Sequence, residues 1–290
     1  TVNVSSVNTG DKWTMNYKLD GVAQSAATGT GPGSFTFTTG STVTSTSDVL
    51  SLTDITNNST QDACITTLTD SRTIAVDPTT VAGVIGHDTV VCKGGSGFMT
   101  QTAAGVGSIV KWQSRVKGNT AWTDINNTNT TINFYNLNDT TEFRAIYQSG
   151  LCLEEGSNIK TATPRALPYA VITSTDDTIC AGKATTFVIN VTNVNVGQSF
   201  TVNYVIGSAA KSFTATNVAS GNHTITIGAG IFTTTTDITL QTISTQIDAS
   251  TSPRTPACNN TLNSTQTVTV QMNPTATLTT VPSRLCHGST

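Results

Sequence analysis

The sequence predicts an all-β protein built as a tandem array of small sandwich domains. Three observations predict it: a composition dominated by β-branched residues, apolar–polar alternation with a period of two, and a long internal repeat. The chain has 290 residues, of which 61 are Thr and only 3 are Glu. Thr and Val suit a pleated, half-buried surface, whereas long surface helices need Glu, Lys, Arg and Ala. A hydrophobic share of 36% supports several small cores rather than one large one, and the length suggests roughly two or three domains. With 11% charged residues and a net charge of −3, the chain lacks the basic stripe of an electrostatic nucleic-acid binder. No apolar run is long enough for a membrane-spanning helix. No charged-then-apolar leader opens the chain, so any export signal is expected outside this sequence.

The strand signals run the length of the chain. In 199–204, alternation places Phe200, Val202 and Tyr204 on one face and Ser199, Thr201 and Asn203 on the other. Runs at 34–38, 131–135, 223–227 and 265–270 read the same way, separated by Gly, Asn, Asp and Ser clusters. Many short strands with frequent turn signals predict a sandwich or barrel.

The repeat sets the organisation. Thr1-Val2-Asn3-Val4-Ser5-Ser6-Val7-Asn8-Thr9-Gly10 aligns with Val188-Ile189-Asn190-Val191-Thr192-Asn193-Val194-Asn195-Val196-Gly197, and Trp13, Asn16 and Tyr17 then meet Phe200, Asn203 and Tyr204 without a gap. Further on, Ala63-Cys64 meets Ala257-Cys258, Leu68 meets Leu262 and Val76 meets Val270. The six cysteines, at 64, 92, 152, 180, 258 and 286, repeat a 28-residue gap three times. Each gap holds a strand-like run and then proline: Pro78, Pro164 with Pro168, or Pro274. Proline cannot donate to a ladder and closes strands, so these prolines are expected at inter-domain joints. The expected division is 1–78, a repeat lacking its N-terminal strands; 79–166 and 167–274, two complete repeats; and 275–290, the start of another. Cys286-His287-Gly288 mirrors Cys180-Ala181-Gly182 and, loosely, Cys92-Lys93-Gly94.

Six cysteines in a Thr-, Ser- and Asn-rich chain point to an oxidising, extracellular compartment. Strands around a proline joint should be nearly collinear, which holds the two cysteines of a 28-residue gap far apart. A disulfide needs Cα atoms within about 7 Å. Pairing inside a unit is therefore expected: Cys92 with Cys152, and Cys180 with Cys258. Cys64 and Cys286 would then find partners beyond this fragment.

One stretch carries a resemblance. The run Ile109-Val110-Lys111-Trp112-Gln113-Ser114, then Thr120-Ala121-Trp122-Thr123-Asp124-Ile125, Asn136-Leu137-Asn138-Asp139-Thr140-Thr141-Glu142-Phe143-Arg144-Ala145 and Ser149-Gly150-Leu151-Cys152 resembles the immunoglobulin-like repeats of giant Bacteroidota surface proteins, gliding-motility adhesins of the SprB kind. The third unit, with Thr178-Ile179-Cys180-Ala181-Gly182 and Asn273-Pro274, resembles the same group less sharply. The resemblance implies tandem immunoglobulin-like β-sandwich domains arranged end to end, secretion by the type IX route, display on the outer membrane and a role in adhesion during gliding. The implied partners are neighbouring repeats, outer-membrane motility or secretion machinery reached through other regions, and an external surface or polysaccharide. It also implies an Asp-Ser/Thr-aliphatic/Thr glycosylation pattern, which Thr89, Thr140 and Thr178 fit as acceptors. In antibody domains the cysteines lie inside facing strands with a Trp packed on them. Trp112 falls between Cys92 and Cys152 and is expected in the core, but Cys152 follows a Ser149-Gly150 turn signal.

Catalytic constellations are poor. His87, His223 and His287 fall in different units or the terminal stub, and a catalytic triad needs convergent geometry. Gly94-Gly95-Ser96-Gly97 lacks the Gly-Lys-Ser/Thr ending of a phosphate loop and reads as a turn. Asp124-Ile125-Asn126-Asn127 and Asp176-Asp177 offer oxygen ligands near expected turns or joints, but each holds only one or two carboxylates where calcium takes six to eight oxygens, and ordinary turn chemistry explains them equally well. No enzyme and no cofactor is expected. Two readings are left: a structural stalk segment of a secreted adhesin, or a carbohydrate- or partner-binding module of a secreted protein. Only 6% of residues are aromatic and most sit in strand-like runs, which favours the stalk.

Overall fold

The structure is a computed structural model and describes residues 1–39, 47–59, 62–248, 253–279 and 287. Three successive groups of strands each close around their own apolar cluster.

The first unit contains β1 (Val2–Val4), β2 (Lys12–Leu19), β3 (Val22–Ala23), β4 (Ala27–Thr30), β5 (Gly33–Phe35), β6 (Ser47–Asn57), β7 (Cys64–Thr67) and β8 (Ser71–Ala75). β1 and β5 form a two-stranded sheet against a larger sheet centred on β2 and β6. Its core is small: Val4, Trp13 and Met15 are buried, with Phe35 edge-on to Trp13 at 4.7 Å. The Trp13 indole donates to the Gly31 carbonyl at 3.0 Å. A Cβ on Gly29 would collide with that ring, so only glycine lets β4 lie over it. The run expected at 34–38 is a strand only as far as Phe35, although Phe37 still packs on Tyr17.

The second unit contains β9 (Val84–Ile85), β10 (Thr89–Cys92), β11 (Gly95–Ala103), β12 (Ser108–Val116), β13 (Thr123–Ile125), β14 (Thr131–Leu137), β15 (Thr141–Gln148), β16 (Glu155–Gly156) and β17 (Lys160–Arg165). One sheet has the order β10-β17-β15-β12-β13, the other β14-β11-β9. Trp112 is completely buried between them, its indole donating to the Asn129 carbonyl at 2.9 Å. Lys93 and Gly94 form the turn between β10 and β11, with φ of 74° at Gly94. The glycine-rich stretch is therefore a turn running into a strand.

The third unit contains β18 (Tyr169–Thr175), β19 (Thr178–Cys180), β20 (Thr185–Thr192), β21 (Gln198–Ile206), β22 (Ala209–Val218), β23 (Gly221–Ile227), β24 (Thr236–Thr245), β25 (Asn259–Thr261) and β26 (Thr265–Gln271). The sheet orders β19-β26-β24-β21-β22 and β18-β20-β23 reproduce those of the second unit. Phe200, Val202 and Tyr204 are buried as their alternation requires. The repeat aligned in sequence is also a repeat in backbone. Ser6 and Asn193 share φ values of 60° and 61°, Gly10 and Gly197 share 93° and 83°, and bulges fall at Asn16/Tyr17 and Asn203/Tyr204. Pro164 departs from the expectation that it closes a strand. β17 runs through it to Arg165, with Pro164 opposite Val91 in a parallel pairing.

Candidate functional site, a stapled joint and a charged face

The cysteines fall into two positional classes. Cys92 ends β10 and Cys180 ends β19, and both strands run parallel to the last strand of their unit, with Cys92 opposite Arg165 and Cys180 opposite Gln271. Both cysteines thus lie at the pole where the chain leaves the unit. Cys152 and Cys258 lie in the loops after β15 and β24, which lead back to the start of β17 and β26, at the opposite pole. Cys64 stands at the corresponding end of its unit, as the first residue of β7 opposite Asn57 of β6.

This geometry overturns the expected pairings. Cys92 cannot reach Cys152, nor Cys180 reach Cys258, because each pair spans a whole sandwich. Among the described residues a disulfide joins Cys92 to Cys258, with Cα atoms 5.7 Å apart and a sequence separation of 166. It links the exit pole of the second unit to the entry pole of the third. Cys152 and Cys180 are free thiols, and Cys286 lies outside the described residues. A structural disulfide marks an oxidising compartment.

Polar contacts tighten the same joint. The Arg165 guanidinium donates to the Asn193 carbonyl at 3.2 Å, Asn193 donates to the Leu167 carbonyl at 2.9 Å, and Asn260 donates to the Pro168 carbonyl at 3.0 Å. Burial pushes the Arg165 pKa down, and the Asp248 charge opposes that shift. At the preceding joint, Asp77 accepts from the Leu151 amide at 2.9 Å, and the Cys152 thiol lies 3.4 Å from the Pro78 carbonyl.

A second feature covers the outer face of β12, β13 and β15. Alternation on β12 buries Trp112 and turns Lys111, Gln113 and Arg115 outward. Arg115 pairs with Glu142 at 2.7 Å, and Lys111 reaches Asp124 at 3.3 Å and Glu154 at 3.1 Å. Gln113 bridges Arg144 and Asp124. The guanidinium carbons of Arg115 and Arg144 each lie 4.3 Å from the centroid of half-buried Trp122, within cation–π range. Hydrogen bonds to Glu154 and Asp124 raise the Lys111 pKa. The Gln113 hydrogen bond, followed by Lys111, lowers that of Asp124. Burial first, and the Arg115 charge second, lower that of Arg144.

The other residues singled out in sequence do not converge. Thr178 is exposed at the start of β19, Thr89 is half-buried at the equivalent start of β10, and Thr140 is half-buried before β15. Asp88 accepts from the Thr161 amide and Asp176 from the Thr185 hydroxyl, so each ties its segment to a neighbouring strand. His223 stacks edge-on against Phe200 at 4.9 Å. Among the described residues no group of three or more His, Cys, Asp or Glu side chains could hold a metal ion.

Residues 81–165, from just before β9 to the end of β17, match a domain of unknown function (DUF8696). No curated protein sequence matches the chain. Similar solved structures include a calcium-stabilised adhesin that helps an Antarctic bacterium bind ice, 15% identical, covering 92% of this chain and 67% of that one, with a TM-score of 0.40. A three-immunoglobulin-domain stretch of titin is 9% identical, covering 92% and 94%, with a TM-score of 0.40. Fibronectin(III)-like modules of CbhA from Clostridium thermocellum are 9% identical, covering 67% and 94%, with a TM-score of 0.27. These neighbours are immunoglobulin- and fibronectin-III-like repeat and adhesin domains. The fold assignment itself rests on the strand orders and cores above.

Proposed function

We propose that the chain is a structural stalk segment of a secreted, surface-displayed filamentous adhesin. The observation that carries this reading is the Cys92–Cys258 staple between facing poles of neighbouring units. A covalent bond across a joint is useful to a chain under tension. Pulling on the two ends routes force through the staple and shields the residues between its cysteines. On this reading the repeats are 1–78, 79–166 and 167–274, with a further one beginning in 275–290. The motif resemblance around Trp112, Trp122 and Phe143 supports a place among Bacteroidota gliding-motility adhesins, exported by the type IX route and anchored at the outer membrane. Its partners are then neighbouring repeats, the motility or secretion machinery and an external surface or polysaccharide, and Thr89, Thr140 and Thr178 are candidate glycan acceptors. One observation favours a second reading, a partner- or carbohydrate-binding module: Phe98 and Tyr135 lie on the neighbouring strands β11 and β14 and are 62% and 68% exposed.

Stretching the chain by its ends tests the stalk. Under oxidising conditions its full unfolded extension should fall short of the reduced chain by roughly 550–600 Å, the reach of the bypassed residues at about 3.3–3.6 Å each. Equal extensions in both conditions would refute the staple. Scattering should give a rod roughly 110–140 Å long, from strands rising about 3.3 Å per residue plus turns. A globule of roughly 60–70 Å, well short of that rise, would refute the stalk.

A further inference from the structure

We propose that the observed staple is one link of a relay, in which the exit-pole cysteine of every unit is bonded to the entry-pole loop cysteine of the unit that follows. Cys152 is then the acceptor for a cysteine of the preceding unit, and Cys180 the donor to a cysteine of the next. This rests on the stapled-joint reading above and extends it from one joint to all.

Cys180 stands in its unit where Cys92 stands in its own: last residue of a short strand parallel to the unit's final strand, followed by a turn with glycine at φ of 74° and 75°. Cys152 stands where Cys258 stands, between the long strand and the two- or three-residue strand that pairs back onto it. Cys92 and Cys258 are joined; Cys152 and Cys180 are the same two positions turned toward the outer joints. Cys152 already lies at its joint, against Asp77 and Pro78. The loop around it also exposes Leu151 at 96% and Leu153 at 86%, an apolar rim at the pole that faces the preceding unit. The repeat register places the missing partner. Thr1 aligns with Val188, and Cys180 lies eight residues before Val188, so the partner of Cys152 belongs eight residues before Thr1. Each link forms one S–S bond from two thiols. Two protons and two electrons leave, taken up by a disulfide-carrying oxidoreductase that is reduced to its dithiol.

Two chains test the relay. In the first, a copy of residues 178–187 is placed directly before Thr1, restoring the exit-pole turn in register. In the second, residues 275–290 are replaced by a second copy of residues 169–274, which supplies a next entry pole after Pro274. Each is oxidised with a disulfide-carrying oxidoreductase and mapped without reduction. The expected maps show the grafted cysteine linked to Cys152, and Cys180 linked to the second copy of Cys258. The Cys92–Cys258 link serves as the internal proof of folding. Recovering that link while Cys152 and Cys180 stay alkylatable, or bond elsewhere, overturns the relay. Losing the Cys92–Cys258 link in the unaltered chain overturns the stapled joint, and the relay with it.

Discussion

The second and third units share a strand order but dress it in different chemistry. On the outer face of the second, Lys111, Gln113, Arg115, Asp124, Glu142, Arg144 and Glu154 interlock around Trp122. The matching face of the third is built mainly from neutral pairs, Thr201 with Thr214 at 2.9 Å, Asn203 with Thr242 at 3.0 Å and Thr239 with Thr265 at 3.0 Å, with Asp237 as a charged member accepting from Thr267 at 2.6 Å. The inward faces are alike, each with aromatics on the central strands: Trp112 and Phe143 in one, Phe200 and Tyr204 in the other. The contrast teaches that the fold is specified by what points in and by the turns. The outward positions are left open to specialisation. Cross-strand pairs of either kind contribute only about 0.2–1 kcal/mol each.

The largest effect is expected at the staple. Cys92→Ser should destabilise both units together. Closing a loop of this size contributes about 5 kcal/mol on the chain-entropy model. Hydrogen exchange should rise in the third unit as well as the second; a change confined to one would mean that the units are uncoupled. Next come the cores. Trp112→Ala and Phe200→Ala should each cost about 3–5 kcal/mol, and exchange should show the loss mainly in the unit that carries the substitution.

The smallest effects distinguish the faces. Glu142→Gln removes the charge opposite Arg115 and should cost roughly 1 kcal/mol, shrinking as salt is raised. Thr201→Val keeps the β-branched shape and should change stability by under about 0.5 kcal/mol, with no salt dependence. The charged face should also respond to pH at both extremes. Asp124 titrates below its ordinary value in the folded chain, so its contribution is present above about pH 4 and is lost as pH falls through the folded value. Lys111 titrates above its ordinary value, so its contribution holds below about pH 10 and is lost as pH rises past the folded value. Chemical shifts of Trp122 followed across pH should report both transitions, and a flat response would remove the charged network from the account.

Much of this architecture is legible in the sequence. The alternation at 199–204 correctly assigns Phe200, Val202 and Tyr204 to the core, and the aligned Asn-Gly-rich turns share backbone angles at Ser6 and Asn193. The two cysteine classes are visible too, one before a glycine turn and one after a long strand. What the sequence lacks is the pole on which each class lies. That follows from the parallel pairing of β10 with β17 and of β19 with β26, and parallel pairing leaves no mark in side-chain periodicity. The charged face is hidden for a different reason. Lys111, Asp124, Glu142 and Glu154 are scattered along the chain, and only the order β15-β12-β13, with the loop that follows β15, brings them together.

The staple has a consequence for damage. A protease cuts exposed loops, and the second and third units contain many. A single cut anywhere between Cys92 and Cys258 leaves the residues before Cys92 still bonded to those after Cys258. The two fragments stay one molecule, and the severed unit is held beside its neighbour while its sheets hold it folded. A chain stapled this way tolerates one nick within the stapled span without parting, a redundancy that no single polypeptide strand has.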